Sequence, residues 1–208
     1  MEIIEFGNKQ AQIVLIQMVD EHDLEFIENE AAYITNNADV SFRLIAAKVE
    51  NWNYDLSPWE ASAVFGKEGF GGGANRTLKR VLDLCRDDSK IYYIGGYSLA
   101  GLFALWAASK TDVFKGVAAA SPSVWFPGFS DYIRNNQIKC DSVYLSLGNK
   151  EEKTRNSVMA AVGNKIREIY NCLQEQKKNC ILEWNEGNHF VDADIRTAKA
   201  FCRVLKQK

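Results

Sequence analysis

Short apolar runs of the kind that form β-strands alternate with longer runs of helical periodicity along most of the chain. The strand-like runs cover residues 3–6, 12–19, 42–49, 91–95, 116–120, 142–147 and 180–184. The helical patterns cover residues 23–36, 75–87, 99–109, 154–176 and 192–206, the fourth with one apolar stripe of Val158, Val162, Ile166, Ile169 and Leu173. Such alternation is typical of an α/β fold in which helices flank a mostly parallel, twisted sheet.

One long stretch, residues 50–74, interrupts this alternation and is rich in aromatic residues and glycine. A loop of this length inside a compact domain is usually functional or mobile, so we expect it to form a wall of a substrate site. Its glycine-rich end, residues 70–75, matches neither glycine-rich nucleotide fingerprint. We interpret that end as a close-packed entry to the following helix.

Composition and charge limit the classes of protein that fit this pattern. The 208 residues are 47% hydrophobic and 25% charged, which indicates a single α/β domain over residues 1–208. The net charge is −2 and no run of five like charges occurs. Nucleic acid and anionic membranes are therefore unexpected partners.

The cysteines and the first residues indicate where the protein works. The five cysteines have irregular spacing, without CxxC or Cys/His pairs, so we expect free core thiols in a reducing compartment and no metal site. The start MEIIEFGNKQ lacks the basic segment of a signal peptide. Since no apolar stretch reaches about 18 residues either, we expect a soluble, cytoplasmic protein.

Candidate chemistry begins at the sequence GYSLAG, residues 96–101, between a predicted strand and a predicted helix. A serine in such a tight strand-to-helix turn exposes its hydroxyl, and small residues two before and two after it permit the turn. Ser98 is therefore a candidate nucleophile, and the Leu99 N–H at the helix start is a candidate oxyanion donor. The alternative is that Ser98 only caps the helix.

The chain has two histidines that could serve as the base for this serine. His189 follows the last predicted strand, where parallel α/β sheets build their sites, so we expect it to be the general base. His22 lies at the start of a polar helix and is interpreted as an exposed surface residue. A purely structural role for His189 is the alternative.

An acid should follow the strand between Ser98 and His189 in chain order. The strand 142–147 runs into Gly148-Asn149-Lys150-Glu151-Glu152, and either glutamate could orient the imidazole. We favour Glu151 over Glu152; the alternative is a solvated acidic helix start. Asp192 and Asp194 are weaker candidates, since they fit the first turn of the last helix.

A second oxyanion donor should come from the loop after the third strand, where the backbone N–H of Asn51 or Trp52 is our candidate. Trp52 and Trp125 also belong to a group of loop aromatics expected on the same side as Ser98, together with Trp59 and Phe126. These side chains could wall a substrate pocket, or they could be ordinary packing.

Four motifs together resemble the α/β-hydrolase fold esterases related to esterase D and enterochelin esterase. They are GYSLAG at 96–101, Ser121-Pro122-Ser123-Val124-Trp125, the GxxE from Gly148 to Glu151, and GNHF around His189. The resemblance implies a serine hydrolase with a Ser/acid/His triad, without metal or cofactor. Ala100 stands where a second glycine is commoner, and the chain length leaves little room for a large cap domain.

We therefore expect hydrolysis of a small-molecule carboxylic ester through an acyl-enzyme on Ser98, with His189 as base and Glu151 as its orienting acid. An acyltransferase or a thioesterase would use the same intermediate. A catalytically silent binding protein of this fold is a further alternative. The sequence favours no particular acyl group, alcohol group or oligomeric state.

Overall fold

The computed structural model describes residues 1–207 and places seven strands in one sheet, in the order β1-β3-β2-β6-β7-β8-β9. A separate two-stranded sheet pairs β4 with β5. The strands are β1 (Glu2–Gly7), β2 (Ile13–Val19), β3 (Phe42–Lys48), β4 (Glu60–Ala61), β5 (Phe70–Gly71), β6 (Ile91–Tyr97), β7 (Phe114–Ala120), β8 (Ser142–Gly148) and β9 (Asn179–Asn185).

Six of the seven main strands run parallel, and only the edge strand β1 is antiparallel to its neighbour β3. This confirms the mostly parallel sheet. The two opening strands are not neighbours, because β3 lies between β1 and β2. The strands β6, β7, β8 and β9 lie side by side in chain order, so the loops that follow them emerge along one edge of the sheet.

Helices cover both faces of the sheet. They are α1 (Glu21–Leu24), α2 (Ile27–Asn37), α3 (Trp52–Leu56), α4 (Ala74–Asp83), α5 (Ser98–Lys110), α6 (Phe129–Asn135), α7 (Ser157–Ala160), α8 (Val162–Glu175) and α9 (Ala193–Lys206). One core cluster includes buried residues of α4, α5, α6 and α8. The other includes buried residues of α2 and α9, on the opposite face.

Strand β2 shows how both cores are formed from one sheet. Its residues Val14, Ile16 and Met18 belong to the first cluster, whereas Leu15 and Val19 belong to the second. Successive side chains of a strand point to opposite faces, so a strand covered on both sides needs a continuous apolar run. The same reasoning applies to α5, which is buried from Leu99 through Ser109 and has no polar stripe.

Two expected helices are divided in the structure. The pattern over 23–36 forms α1 and α2, because the Glu25 and Phe26 N–H groups bond to the carbonyls of His22 and Asp23, three residues back, and close the first helix early. The pattern over 154–176 forms α7 and α8, which meet at Ala161. The expected stripe is correct from residue 162 onward but wrong at its start.

Val158 is 44% exposed, because it lies in α7, before the break at Ala161, and this short helix does not continue the buried stripe of α8.

Residues 50–74 are not a continuous loop, since they contain α3, β4 and β5. Their glycine-rich end is close-packed as expected: a Cβ at Gly71 or at Gly73 would overlap the Tyr54 ring. The helix expected over 75–87 ends at Asp83. The next two N–H groups, of Leu84 and Cys85, bond to carbonyls only three residues back and close the helix with a tighter turn. The helix α6 has only seven residues and was not predicted from the apolar pattern.

All five cysteines are free thiols, three of them buried and two half-buried. Burial raises the pKa of Cys85, Cys140 and Cys180 to about 12, so these thiols stay protonated near neutral pH. Among residues 1–207, no helix has both the length and the apolar character needed to cross a membrane.

The first testable prediction concerns α5. Trp106 is fully buried in that helix, so Trp106→Ala should lower the free energy of unfolding by about 3–5 kcal/mol through lost burial and a residual cavity. Val158→Ala, at an exposed position, should cost less than about 1 kcal/mol. Urea denaturation of the two variants measures both values, and equal losses would contradict the buried position of α5.

Candidate active site

The candidate residues lie at the carboxyl ends of the neighbouring strands β6, β7, β8 and β9. Ser98 follows β6, Ser121 follows β7, Glu151 follows β8, and His189 lies in the loop after β9. Residues from four separate parts of the chain therefore meet at one edge of the sheet, as expected for an α/β site.

Ser98 occupies a strained turn. It has φ of +55°, a left-handed value that is uncommon outside glycine. Gly96 has φ of +151°, and a Cβ there would come within 2.6 Å of the Ala100 Cβ. The small residues two before and two after Ser98 are thus required by close contact, and Ala100 fits because its partner is glycine.

The structure brings Ser98, His189 and Glu151 into one hydrogen-bonded chain. Ser98 Oγ lies 3.0 Å from His189 Nε2. His189 Nδ1 lies 2.7 Å from Glu151 Oε2. Both distances are within ordinary hydrogen-bonding range, although 91 and 38 residues separate the partners along the chain. The arrangement can move a proton from a hydroxyl to an imidazole that a carboxylate orients.

Glu151 is buried, and its second oxygen has its own set of partners. Oε1 accepts hydrogen bonds from Ser121 Oγ and from the Gly148 N–H, both at 2.7 Å. Glu152, the alternative acid, instead forms a 3.0 Å ion pair with Arg167 at the surface. Only one of the two adjacent glutamates therefore faces His189.

Arg196 on α9 connects this carboxylate to the loop that carries the histidine. Its side chain is 2% exposed, and Nη1 lies 3.3 Å from Glu151 Oε1 and 3.0 Å from the Asn188 carbonyl. Nη1 also donates to Tyr97 Oη at 3.0 Å, and Nη2 donates to the Glu186 carbonyl at 2.6 Å. Sequence reasoning missed Arg196, because an arginine within an amphipathic helix resembles a surface residue.

Tyr97 completes the contact between β6 and the histidine loop. Its hydroxyl donates to the His189 carbonyl at 2.9 Å, and the two rings lie 5.1 Å apart. Burial raises the pKa of Tyr97, so the hydroxyl stays protonated and remains a donor. Because Arg196 in turn donates to this hydroxyl, the histidine loop is held from two sides.

The other titratable candidates lie apart from this chain. His22 is exposed and forms a 3.7 Å contact with Glu25. Asp192 immediately precedes α9 with φ of +52°, and Asp194 is in the first turn of that helix. Within residues 1–207, no group of three or more His, Cys, Asp or Glu side chains could hold a metal ion.

The two candidates for a second oxyanion donor differ in availability. The Asn51 N–H already donates to Asp55 Oδ2 at 3.0 Å, which argues against Asn51. Trp52, the first residue of α3, lines the same cavity as Ser98 and Leu99. Its position after β3 fits the expected location of the second donor.

An apolar cavity of about 480 Å³ opens directly on Ser98. Aromatic and other apolar side chains form most of its wall: Trp52, Phe65, Phe70, Leu99, Trp125, Met159 and Phe190. Trp59 and Phe126 do not line it; their rings pack against each other 5.5 Å apart. The aromatic group expected from the sequence thus divides into two lining residues, Trp52 and Trp125, and two packing residues.

Phe190 was not identified from the sequence. It is 88% exposed and follows His189 directly, with the two rings 5.6 Å apart. An aromatic residue directly after a candidate histidine was the available signal. Its exposure beside the cavity leaves a large apolar surface that a bound molecule could cover.

No protein-family model matches the chain, and no curated protein matches it significantly. Solved structures do match. An IroE-like serine hydrolase from Shewanella oneidensis aligns with a TM-score of 0.76 and 14% identity over 98% of this chain and 75% of that chain.

Two further structures are similar. The siderophore hydrolase EstA from Aspergillus nidulans aligns with a TM-score of 0.66 and 18% identity over 96% of this chain and 85% of that chain. The enterobactin esterase FES from Shigella flexneri has a TM-score of 0.65 and 13% identity, over 97% of this chain and 54% of that chain. The protein has the α/β-hydrolase fold, and residues 1–207 contain no large cap domain.

A second prediction concerns Arg196. Arg196→Met should lower the free energy of unfolding by about 3–5 kcal/mol, because it leaves the buried Glu151 carboxylate without its cationic partner. Arg203→Met on the same helix removes an exposed ion pair with Glu183 and should cost less than about 1 kcal/mol. Chemical denaturation compares the two losses, and a loss for Arg196→Met as small as the control's would contradict this role.

Proposed function

We propose that the protein is a serine hydrolase that cleaves a small-molecule carboxylic ester through an acyl-enzyme on Ser98. The observation that carries this proposal is the hydrogen-bonded chain from Ser98 through His189 to Glu151, 3.0 and 2.7 Å long at its two contacts. A helix cap would need neither the left-handed backbone of Ser98 nor a buried carboxylate behind the histidine.

The direction of proton transfer follows from the groups that meet. Since the Glu151 carboxylate only accepts, His189 Nδ1 carries the hydrogen of their contact. In a neutral imidazole the other nitrogen, Nε2, is then an acceptor and faces the Ser98 hydroxyl. These contacts support His189 as the general base, with Glu151 fixing its tautomer and stabilising the imidazolium.

Acylation and deacylation use the same groups. Ser98 Oγ attacks the ester carbonyl while His189 Nε2 takes its proton, and that proton then goes to the departing alcohol oxygen. Water then attacks the acyl carbon while His189 Nε2 takes a proton from that water. This proton passes to Ser98 Oγ as the bond between the acyl carbon and Oγ breaks, and the carboxylic acid leaves. The N–H groups of Leu99 and Trp52 are the proposed donors to the oxyanion in both steps.

The cavity indicates what kind of ester fits. Its aromatic wall suits a substrate with an apolar or aromatic part beside the scissile bond. The names of the similar structures, a siderophore hydrolase and an enterobactin esterase, support ester cleavage in a small molecule. No cofactor is needed for this chemistry, since the nucleophile, base and oxyanion donors all come from the chain.

A third prediction tests the nucleophile. Ser98→Ala removes the attacking atom, so hydrolysis of p-nitrophenyl esters of increasing chain length should fall by about 10⁴-fold or more. The wild type, but not the variant, should react with a fluorophosphonate probe. Ser130→Ala, a buried serine on α6 outside the site, is the matched control and should keep both activities. Comparable turnover in Ser98→Ala and the wild type would remove Ser98 from the mechanism.

A fourth prediction separates the two adjacent glutamates. Glu151→Gln keeps the side-chain shape but loses the charge that stabilises the imidazolium, so kcat should fall by several orders of magnitude with little change in KM. Glu152→Gln loses only the surface ion pair with Arg167 and should leave kcat unchanged. Steady-state kinetics decides between them, and the reverse pattern would assign the acid to Glu152.

A further inference from the structure

The turn that follows β7 contacts both ends of the chain formed by Ser98, His189 and Glu151. Ser121 Oγ donates to Glu151 Oε1 at 2.7 Å. Two residues on, Ser123 Oγ lies 3.1 Å from Ser98 Oγ. Both serine side chains belong to residues that are 1% exposed. The turn Ser121-Pro122-Ser123 therefore places one hydroxyl on the acid and one on the nucleophile.

Backbone contacts fix this turn in place. The Ser121 N–H donates to the Ser146 carbonyl on β8, and the Ser123 N–H donates to the Ser98 carbonyl, both at 3.0 Å. Pro122 packs so closely on α5 that a Cβ added at Gly101 would lie 3.2 Å from its Cβ. The two hydroxyls are thus held by the β8 strand and by the Ser98 turn itself.

The hydrogen bond that Ser98 makes with His189 determines which hydroxyl donates in the contact between Ser98 and Ser123. Each hydroxyl has one hydrogen to donate. The Ser98 hydrogen is directed to His189 Nε2, the acceptor nitrogen of the imidazole. Ser98 Oγ can then only accept in its contact with Ser123. Within residues 1–207, no other acceptor bonds to Ser123 Oγ.

We infer that Ser123 is a further catalytic residue, whose hydroxyl donates to Ser98 Oγ and directs the Ser98 hydrogen toward His189. This inference rests on the proposed ester hydrolysis at Ser98. Ser121 differs in kind, because it acts through Glu151 and is a positioning residue.

Ser123 acts as a hydrogen-bond donor in both half-reactions, and it keeps its own proton throughout. Before acylation, its donation holds Ser98 Oγ in the orientation in which the Oγ hydrogen faces Nε2. In deacylation the bond between the acyl carbon and Oγ breaks, and Oγ recovers a proton from His189. While that bond breaks, Oγ gains negative charge, and a hydrogen bond to a charged oxygen is stronger than one to a neutral oxygen.

The experiment compares Ser123→Ala with Ser123→Thr. Ser123→Ala should lower the rate constant for fluorophosphonate labelling of Ser98, and kcat for p-nitrophenyl acetate, by about 10-fold, the effect of one hydrogen bond to a charged group. Ser123→Thr keeps the hydroxyl and should restore most of both rates. If Ser123→Ala does not fold, Ser123→Cys takes its place, since a thiol is a weak donor of similar size, and the same loss is expected.

Ser130→Ala is the matched control for deleting a buried serine hydroxyl, because Ser130 Oγ is buried on α6 with no partner within residues 1–207. It should leave both rates unchanged. A rate for Ser123→Ala equal to or above that of the wild type would overturn the inference; a higher rate would mean that Ser98 donates to Ser123 in the resting protein. A loss that Ser123→Thr does not restore, in a variant that melts like the wild type, would also overturn it.

The same measurements distinguish this inference from the proposed function. If the wild type neither reacts with the probe nor hydrolyses any ester of the panel, the proposed function fails. If the wild type does both and Ser123→Ala behaves like Ser130→Ala, only the role of Ser123 fails.

Discussion

The burial of one carboxylate, Glu151, is the constraint on which the rest of the site depends. A buried charge is tolerated only when partners satisfy it, and here they come from every side: Ser121, Gly148, His189 and Arg196. These groups belong to the ends of β7, β8 and β9 and to α9. Satisfying the carboxylate therefore holds together the loops that position the histidine, and the same contacts that stabilise the fold fix the site geometry.

The second requirement is strain at Ser98, which the sheet and α5 support. The left-handed backbone is tolerated because Gly96 and Ala100 leave room for it, and because α5 is buried along most of its length. A helix held on all sides cannot easily relax, so the turn at its start stays in its strained form. In the proposed mechanism, this rigid helix start would hold the Leu99 N–H as a preorganised oxyanion donor.

The sequence predicted the sheet well and the long helices less well. Strands buried on both faces are mostly apolar runs, and their positions follow directly from the pattern, as β2 and β8 illustrate despite the buried Gln17 and Ser146 within them. The divisions at Phe26 and Ala161 could not be predicted, because a helical stripe continues across a short break and only the hydrogen bonds show where it ends. The seven-residue helix α6 was missed, since its pattern is too short to separate from a loop.

For the site, the sequence by itself determined the candidate nucleophile Ser98 and the candidate base His189, and it limited the favoured acid to Glu151 or Glu152, because strand-to-helix turns and strand ends are local features. It also placed Trp52 after the third strand. Only the tertiary structure decided which side chains meet across long stretches of chain. Arg196 carries no local signal, and the motif from Ser121 to Trp125 includes Ser123 without indicating a role for it. Both residues become part of the site only when four strand ends meet around one carboxylate and one hydroxyl. The tertiary structure likewise decided which of the adjacent residues Glu151 and Glu152 contacts the histidine. The Glu151 carboxylate bonds to His189, whereas the Glu152 carboxylate pairs with Arg167 at the surface.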